Sequence, residues 1–143
     1  MKLVFATNNS NKLSEIRSLV KGSIDILSLK DINCNEELPE TNFTIEENAL
    51  QKAKYIFDNY GLNCFADDTG LEIKSLDGEP GVFSARYAGE PSNAENNIKK
   101  VLDNLQGVNN REANFKTVIA IIINGKETLF KGICNGSITR NKI

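Results

Sequence analysis

The chain has no histidine and no tryptophan among its 143 residues. Without histidine it cannot build a Ser-His-Asp or Cys-His nucleophile system, an HExxH zinc site, a two-histidine iron site or a Cys/His zinc finger from its own residues. Long apolar runs are missing too. The longest, Val118 to Ile123, is six residues, against about 20 for a membrane span. The opening Met1-Lys2-Leu3-Val4-Phe5-Ala6 turns polar at Thr7, too short for a signal peptide. Cysteine is scarce. Cys34, Cys64 and Cys134 lie far apart with no C-x-x-C, a pattern of reduced thiols in a cytosolic protein and of small buried hydrophobes. A basic excess is also lacking: 17 basic side chains face 19 acidic ones, for a net charge of −2. Coating a nucleic acid by charge alone is therefore excluded.

The residues present fit one α/β domain over 1–143, 40% apolar and 25% charged, ordinary values for a soluble globular protein. Lys2 to Ala6 reads as a short buried strand, followed by the turn formers Thr7-Asn8-Asn9-Ser10-Asn11. Leu13, Ile16 and Leu19 recur at helical spacing, with Gly22 as a stop. Ile24 and Ile26 alternate as a second strand, and residues 30–43 read as a loop with one helical turn. Thr44-Ile45-Glu46-Glu47 matches the capping box of a long helix. Ile45, Ala49, Ala53, Ile56, Phe57 and Tyr60 mark its apolar side, and Gly61 ends it. A strand at Asn63 to Ala66, a turn at Asp67-Asp68-Thr69-Gly70 and a strand at Leu71 to Leu76 follow, with a tight turn at Asp77-Gly78. Ser92-Asn93-Ala94-Glu95 is a second capping box, for a helix with Ile98, Val101, Leu102 and Leu105 inside. Phe115 to Ile123 and Thr128 to Ile133 form a hairpin through Asn124-Gly125. The sum is α/β with a mixed sheet and two helices long enough to cover it.

Four places carry candidate chemistry. Thr7-Asn8-Asn9-Ser10-Asn11-Lys12 lies between a strand and a helix, where unpaired N–H groups and the helix dipole make a phosphate seat. It is neither a P-loop nor a dinucleotide fingerprint, and taken alone it reads first as an Asn-rich turn with a serine cap. Asp67-Asp68-Thr69-Gly70 places two carboxylates after an apolar strand. They suit a hard cation such as Mg²⁺, or acceptance of a proton from attacking water; an Asx-turn with two solvated acids is the alternative. Glu36, Glu37, Glu40, Glu46 and Glu47 form an acidic set, of which Glu46 and Glu47 complement the helix dipole. Glu40 lies on a loop that could fold over the strand ends. Arg86, in Ser84-Ala85-Arg86-Tyr87-Ala88-Gly89, could clamp a phosphate or make a structural ion pair. A phosphate corner with carboxylates and no histidine points to metal-assisted phosphoryl chemistry with activated water.

At these residues the sequence resembles the inosine-triphosphate pyrophosphatase family, the Ham-type enzymes that hydrolyse dITP, ITP and XTP. Ala6-Thr7-Asn8-Asn9-Ser10-Asn11-Lys12 with Glu15 is similar to the family's opening motif. Pro39-Glu40-Thr41, Glu47-Asn48-Ala49 and Lys52-Ala53 resemble its second block. Phe65-Ala66-Asp67-Asp68-Thr69-Gly70-Leu71-Glu72 resembles its A-D-D-(S/T)-G-L signature, and Pro80-Gly81-Val82-Phe83-Ser84-Ala85-Arg86-Tyr87 with Ala88-Gly89 its fourth block. The Maf-type nucleotide pyrophosphatases share the fold, but their serine- and arginine-rich phosphate loop is absent here.

The resemblance implies an elongated two-lobed α/β fold, a long twisted mixed β-sheet flanked by helices, and a central substrate cleft. It implies a cytoplasmic homodimer with no nucleic-acid or membrane partner. The expected reaction splits a purine nucleoside triphosphate into the monophosphate and pyrophosphate. By position, Thr7, Asn8, Asn9, Ser10, Asn11 and Lys12 bind the triphosphate. Glu40 and Asp68 hold Mg²⁺, Asp68 also accepts the water's proton, and Thr69 touches substrate. Asp67 is the second choice for metal or base, and Arg86 is structural or at the cleft's edge. The family continues past Gly136-Ser137-Ile138-Thr139 into purine-holding segments not found here, so a domain lacking base-binding segments, with apolar surface exposed in their place, is expected. A non-catalytic nucleotide-binding fragment and a structural or assembly protein are the competing readings.

Overall fold

Leu3, Val4 and Phe5 are all buried, so the strand they form is covered on both faces, as the middle strand of a parallel set must be. This strand, β1 (Lys2–Phe5), pairs in parallel with β2 (Asp25–Leu27) and with β3 (Cys64–Ile73). The computed structural model describes residues 1–142. Helices α1 (Ser10–Leu19) and α2 (Ile45–Tyr60) lie in the connections between these parallel strands. Strand β4 (Pro80–Gly81) runs antiparallel to β3, and α3 (Ala94–Asn104) leads to the β5 (Glu112–Ile123) and β6 (Lys126–Ser137) hairpin. The strand order is β2-β1-β3-β5-β6, with β4 beside β3. This is the α/β fold with a mixed, open sheet flanked by helices. The three helices expected from the sequence all form among the described residues. None of them is long and apolar enough to cross a membrane.

The residues divide into two compact units, Met1–Asp68 with Val118–Phe130 and Thr69–Thr117 with Lys131–Ile143. In the first, Phe5 stacks on Phe65 with centroids 4.4 Å apart. Leu3 and Ile26 join them, packed by Leu13, Ile16 and Val20 from the α1 side and by Ile119, Ile121 and Ile123 of β5. In the second, Ile73, Tyr87, Val101, Leu105 and Ala113 form the core, with Leu71, Leu76, Val108 and Ile138 around them.

Several expectations hold at residue level. Thr44 caps α2, its hydroxyl accepting the Glu47 N–H at 3.1 Å, and Gly61 ends the helix at φ 66°. Asn124 and Gly125 sit at φ 52° and 82°, as a two-residue hairpin turn requires. Others are corrected. No turn interrupts residues 67–70: β3 runs unbroken from Cys64 to Ile73. The local preference of Asp-Asp-Thr-Gly for a turn loses to pairing, because a lysine meets Asp67 and the strand has neighbours on both sides. The cap of α1 is Asn9, not Ser10, and the cap of α3 is Asn93, not Ser92. The Ser92 hydroxyl is taken by the Ala85 carbonyl instead. Leu19 is 80% exposed and Ile98 38%. Val20 takes the inward place expected of Leu19.

Candidate functional site

The backbone amide of Ala6 donates to the Phe65 carbonyl at 2.8 Å, and the chain leaves the sheet only after it. The Thr7–Lys12 corner and the Asp67-Asp68 pair therefore both lie just past the last parallel β1–β3 pair, Phe5 with Phe65, on the side where open α/β sheets place ligands. Within the corner, Thr7 Oγ1 accepts the Asn9 N–H at 3.1 Å. Asn9 Oδ1 accepts the N–H groups of Asn11 at 3.0 Å and Lys12 at 3.1 Å. The corner is thus a capped turn whose first-turn donors are arranged by Asn9. Asn8, Asn9, Ser10 and Asn11 are exposed and Thr7 is half-buried.

Two lysines converge on Asp67. Lys12 Nζ, on α1, lies 2.8 Å from Asp67 Oδ2. Lys52 Nζ, on α2, donates to the Asp67 backbone carbonyl at 2.6 Å and sits 2.9 Å from Glu40 Oε1. The Asp67 and Lys52 side chains are only 13% and 12% exposed, whereas Glu40 is 38% exposed. Asp67 Oδ1 is buried and has no hydrogen-bond partner. A buried carboxylate oxygen of this kind is costly.

Strand alternation separates the two aspartates. Phe65, two residues before Asp67, packs on the face that α1 covers. Cys64, four residues before Asp68, faces α2, its thiol donating to the Ala53 carbonyl at 3.1 Å. Asp68 thus shares a face with the helix that holds Glu40, and it is half-buried. Burial pushes the Cys64 thiol up to about 11, which makes it inert as a nucleophile at neutral pH.

Among the described residues no group of three or more His, Cys, Asp or Glu side chains is placed to hold a metal ion. Mg²⁺ needs less than that, since it takes one or two carboxylates and fills its shell with water and substrate phosphates. Glu40 and Asp68 are hard oxygen donors of the right kind. The donor set fits a hard divalent cation.

The remaining sequence-predicted residues lie elsewhere. Thr69 opens the second unit, and its hydroxyl is 2.8 Å from that of Thr117. Arg86 lies in a short 3₁₀ turn with its guanidinium 5.4 Å from the Phe83 ring centroid. Lys52 stands outside the site residues expected from the sequence, although its signal is there. It falls in the apolar stripe of α2 defined by Ile45, Ala49 and Ile56, where a lysine has to find a charged or polar partner.

A model of the Ham1 family matches residues 3–143. The chain is 57% identical over 142 residues to the dITP/XTP pyrophosphatase of Flavobacterium johnsoniae, covering 99% of this chain and 74% of that protein. It is 58% identical over 142 residues to the protein of the same name from Christiangramia forsetii, covering 99% and 75%. The solved structure of the Staphylococcus aureus Ham1 protein superposes with a TM-score of 0.94 at 33% identity, covering 100% of this chain and 74% of that one. A HAM1 protein from Coxiella burnetii gives 0.92 at 35% identity, covering 99% and 74%. The chain belongs to the Ham1 family.

Proposed function

We propose that this chain hydrolyses non-standard purine nucleoside triphosphates, namely dITP, ITP and XTP, to the nucleoside monophosphate and pyrophosphate. The observation that carries this reading is the convergence of Lys12 and Lys52 on Asp67 beside a strand-to-helix corner. Two ammonium groups that meet at one residue suit a polyanion such as a triphosphate chain. The names of the relatives, dITP/XTP pyrophosphatase, supply the substrate class. They do not favour the Maf-type reading, a non-catalytic module or an assembly protein.

In this reading Thr7, Asn8, Asn9, Ser10, Asn11 and Lys12 bind the phosphates, and Thr69 touches the substrate. Glu40 and Asp68 hold a Mg²⁺ ion. When bound, such an ion neutralises charge on the phosphate oxygens. Asp68 accepts the proton of a water whose oxygen forms the new bond to the α-phosphorus. The bond from that phosphorus to the bridging oxygen breaks, and its electron pair leaves with pyrophosphate. Lys52 holds the Glu40 carboxylate in place until the substrate arrives. The reading extends to a cytoplasmic homodimer, which sedimentation can check.

The test is pyrophosphate release from dITP with and without added Mg²⁺ after exhaustive chelation. Release that returns with Mg²⁺ supports the proposal. Undiminished release in the chelated sample removes the metal from it, and no release under any condition removes the activity.

A further inference from the structure

Asn48 is the buried polar residue of the described core, 2% exposed on the inner face of α2. Buried polar groups need partners, and the partner here is informative. Asn48 Oδ1 accepts the backbone N–H of Asn42 at 2.8 Å. One turn on, Gln51 Oε1 accepts the N–H of Thr41 at 2.9 Å and the side-chain amide of Asn42 at 3.0 Å. Gln51 Nε2 donates to Thr41 Oγ1 at 2.8 Å. The next residue, Lys52, pairs with Glu40 at 2.9 Å. Residues 48, 51 and 52 share one helix face at i, i+3 and i+4 spacing, and they hold residues 42, 41 and 40 in that order.

From this we infer that Asn48 and Gln51 are positioning residues for Glu40, acting through the backbone of Thr41 and Asn42. The inference rests on the proposed role of Glu40 as a cation ligand. A glutamate on a loop has many rotamers and a mobile backbone, and each freedom weakens cation binding through entropy. Two helical side chains bonded to the next two residues remove the backbone part of that freedom. Lys52 fixes the carboxylate itself. Groups that orient a ligand from behind in this way change metal affinity about 10–100-fold when removed.

The experiment titrates Mn²⁺ alone into the full nucleotide-free chain, reading bound ion from the loss of the free-ion paramagnetic resonance signal. Four proteins are compared: the parent chain, Gln51→Leu, Glu40→Gln and the double variant. Thermal unfolding of each reports whether the fold is kept. Expected results are a Mn²⁺ affinity about tenfold weaker in Gln51→Leu, weaker again in Glu40→Gln, and no further loss in the double variant. Binding of pyrophosphate under chelation should not change in Gln51→Leu, because Thr7–Lys12 do not depend on this clamp. Should Gln51→Leu fail to fold, Thr41→Val removes the Gln51 Nε2 partner at an exposed residue and should weaken Mn²⁺ in the same direction. If Glu40→Gln weakens Mn²⁺ and Gln51→Leu does not, Glu40 is a ligand and the positioning inference is wrong. Additive losses in the double variant overturn it as well. If Glu40→Gln leaves Mn²⁺ binding intact, the ligand role of Glu40 fails and the inference fails with it.

Discussion

The two units spend their polar side chains differently. In the first, charges meet charges: Lys12 lies on Asp67, and Lys52 on Glu40. The second has ion pairs too, such as Lys116 with Glu72, but the few polar side chains of its Pro80–Gly89 motif block go elsewhere: Ser84 to backbone, Arg86 over the Phe83 ring and the Tyr87 hydroxyl to Glu79. Ser84 Oγ accepts the Leu71 N–H at 2.9 Å and donates to the Gly81 carbonyl at 2.6 Å. Lys100 donates to the Tyr87 carbonyl and lies 4.2 Å from the Tyr87 ring centroid. Arg111 bonds the carbonyls of Leu105, Val108, Ile138 and Thr139. Beside this scaffold lies an apolar groove of about 620 Å³. A lysine resting on a carboxylate can turn to a phosphate at modest cost, because one anion replaces another. A hydroxyl that bridges two backbone groups cannot leave without stranding both. Motif density alone therefore does not locate the chemistry; the identity of each polar group's partner does.

The strongest way to break this comparison is Asp68→Asn. The amide keeps the shape but takes no proton, so kcat for dITP should fall by about 10²–10⁴ while KM moves little. Steady-state pyrophosphate release checks it, and retention of more than about a tenth of kcat contradicts the general-base role. Next in size is Lys12→Ala. It removes the cation proposed for the phosphates, the partner of Asp67 Oδ2, and KM should rise about tenfold, with a smaller change in kcat.

Tyr87→Phe sharpens the other side. The Tyr87 hydroxyl donates to Glu79 Oε1 at 2.9 Å and accepts from Asn104 Nδ2 at 2.8 Å. Its loss should cost about 1–2 kcal/mol in urea unfolding and leave kcat unchanged. A fall in kcat at full stability would show that the second unit's scaffold takes part in the reaction.

The smallest effects concern the thiols. Cys134 is exposed, whereas Cys34 and Cys64 are buried, so iodoacetamide at pH 8 should label Cys134 alone, as read by peptide mass. The Cys64 thiol ionises at about 11 in the fold against an ordinary 9.0. The folded chain therefore holds that proton longer than the unfolded chain does. This stabilisation is complete below pH 9.0 and is lost as pH rises towards about 11. Cys64→Ala should flatten that part of the stability profile.

Much of this was legible in the sequence because local chemistry decided it. Thr44 and Gly61 bound α2 through cap bonds that need only their own helix. Asn124-Gly125 turns because both residues tolerate positive φ. The four motif blocks lie in order along the chain and marked Thr7–Lys12, Glu40 and Asp67-Asp68 before any coordinates. What failed was any reading that depended on a distant partner. Asp67-Asp68-Thr69-Gly70 has the composition of a turn, and only the strands beside it and a lysine 55 residues away make it continuous strand. Ser92 has the chemistry of a cap, but the Ala85 carbonyl claims its hydroxyl.

The class of fold, the helix ends, the hairpin turn and the residue types available for chemistry are set locally along the chain, because they follow from short-range sterics, capping and periodicity. Packing sets the rest: that Lys12 and Lys52 meet at Asp67, that Asp67 and Asp68 face opposite sides of β3, and that Asn48 and Gln51 hold the loop behind Glu40. These are contacts across 6 to 55 residues of chain. A charged or amide side chain satisfies its bonding needs with whatever the packing brings near, so its partner is set by the assembled sheet and helices and not by its neighbours in sequence.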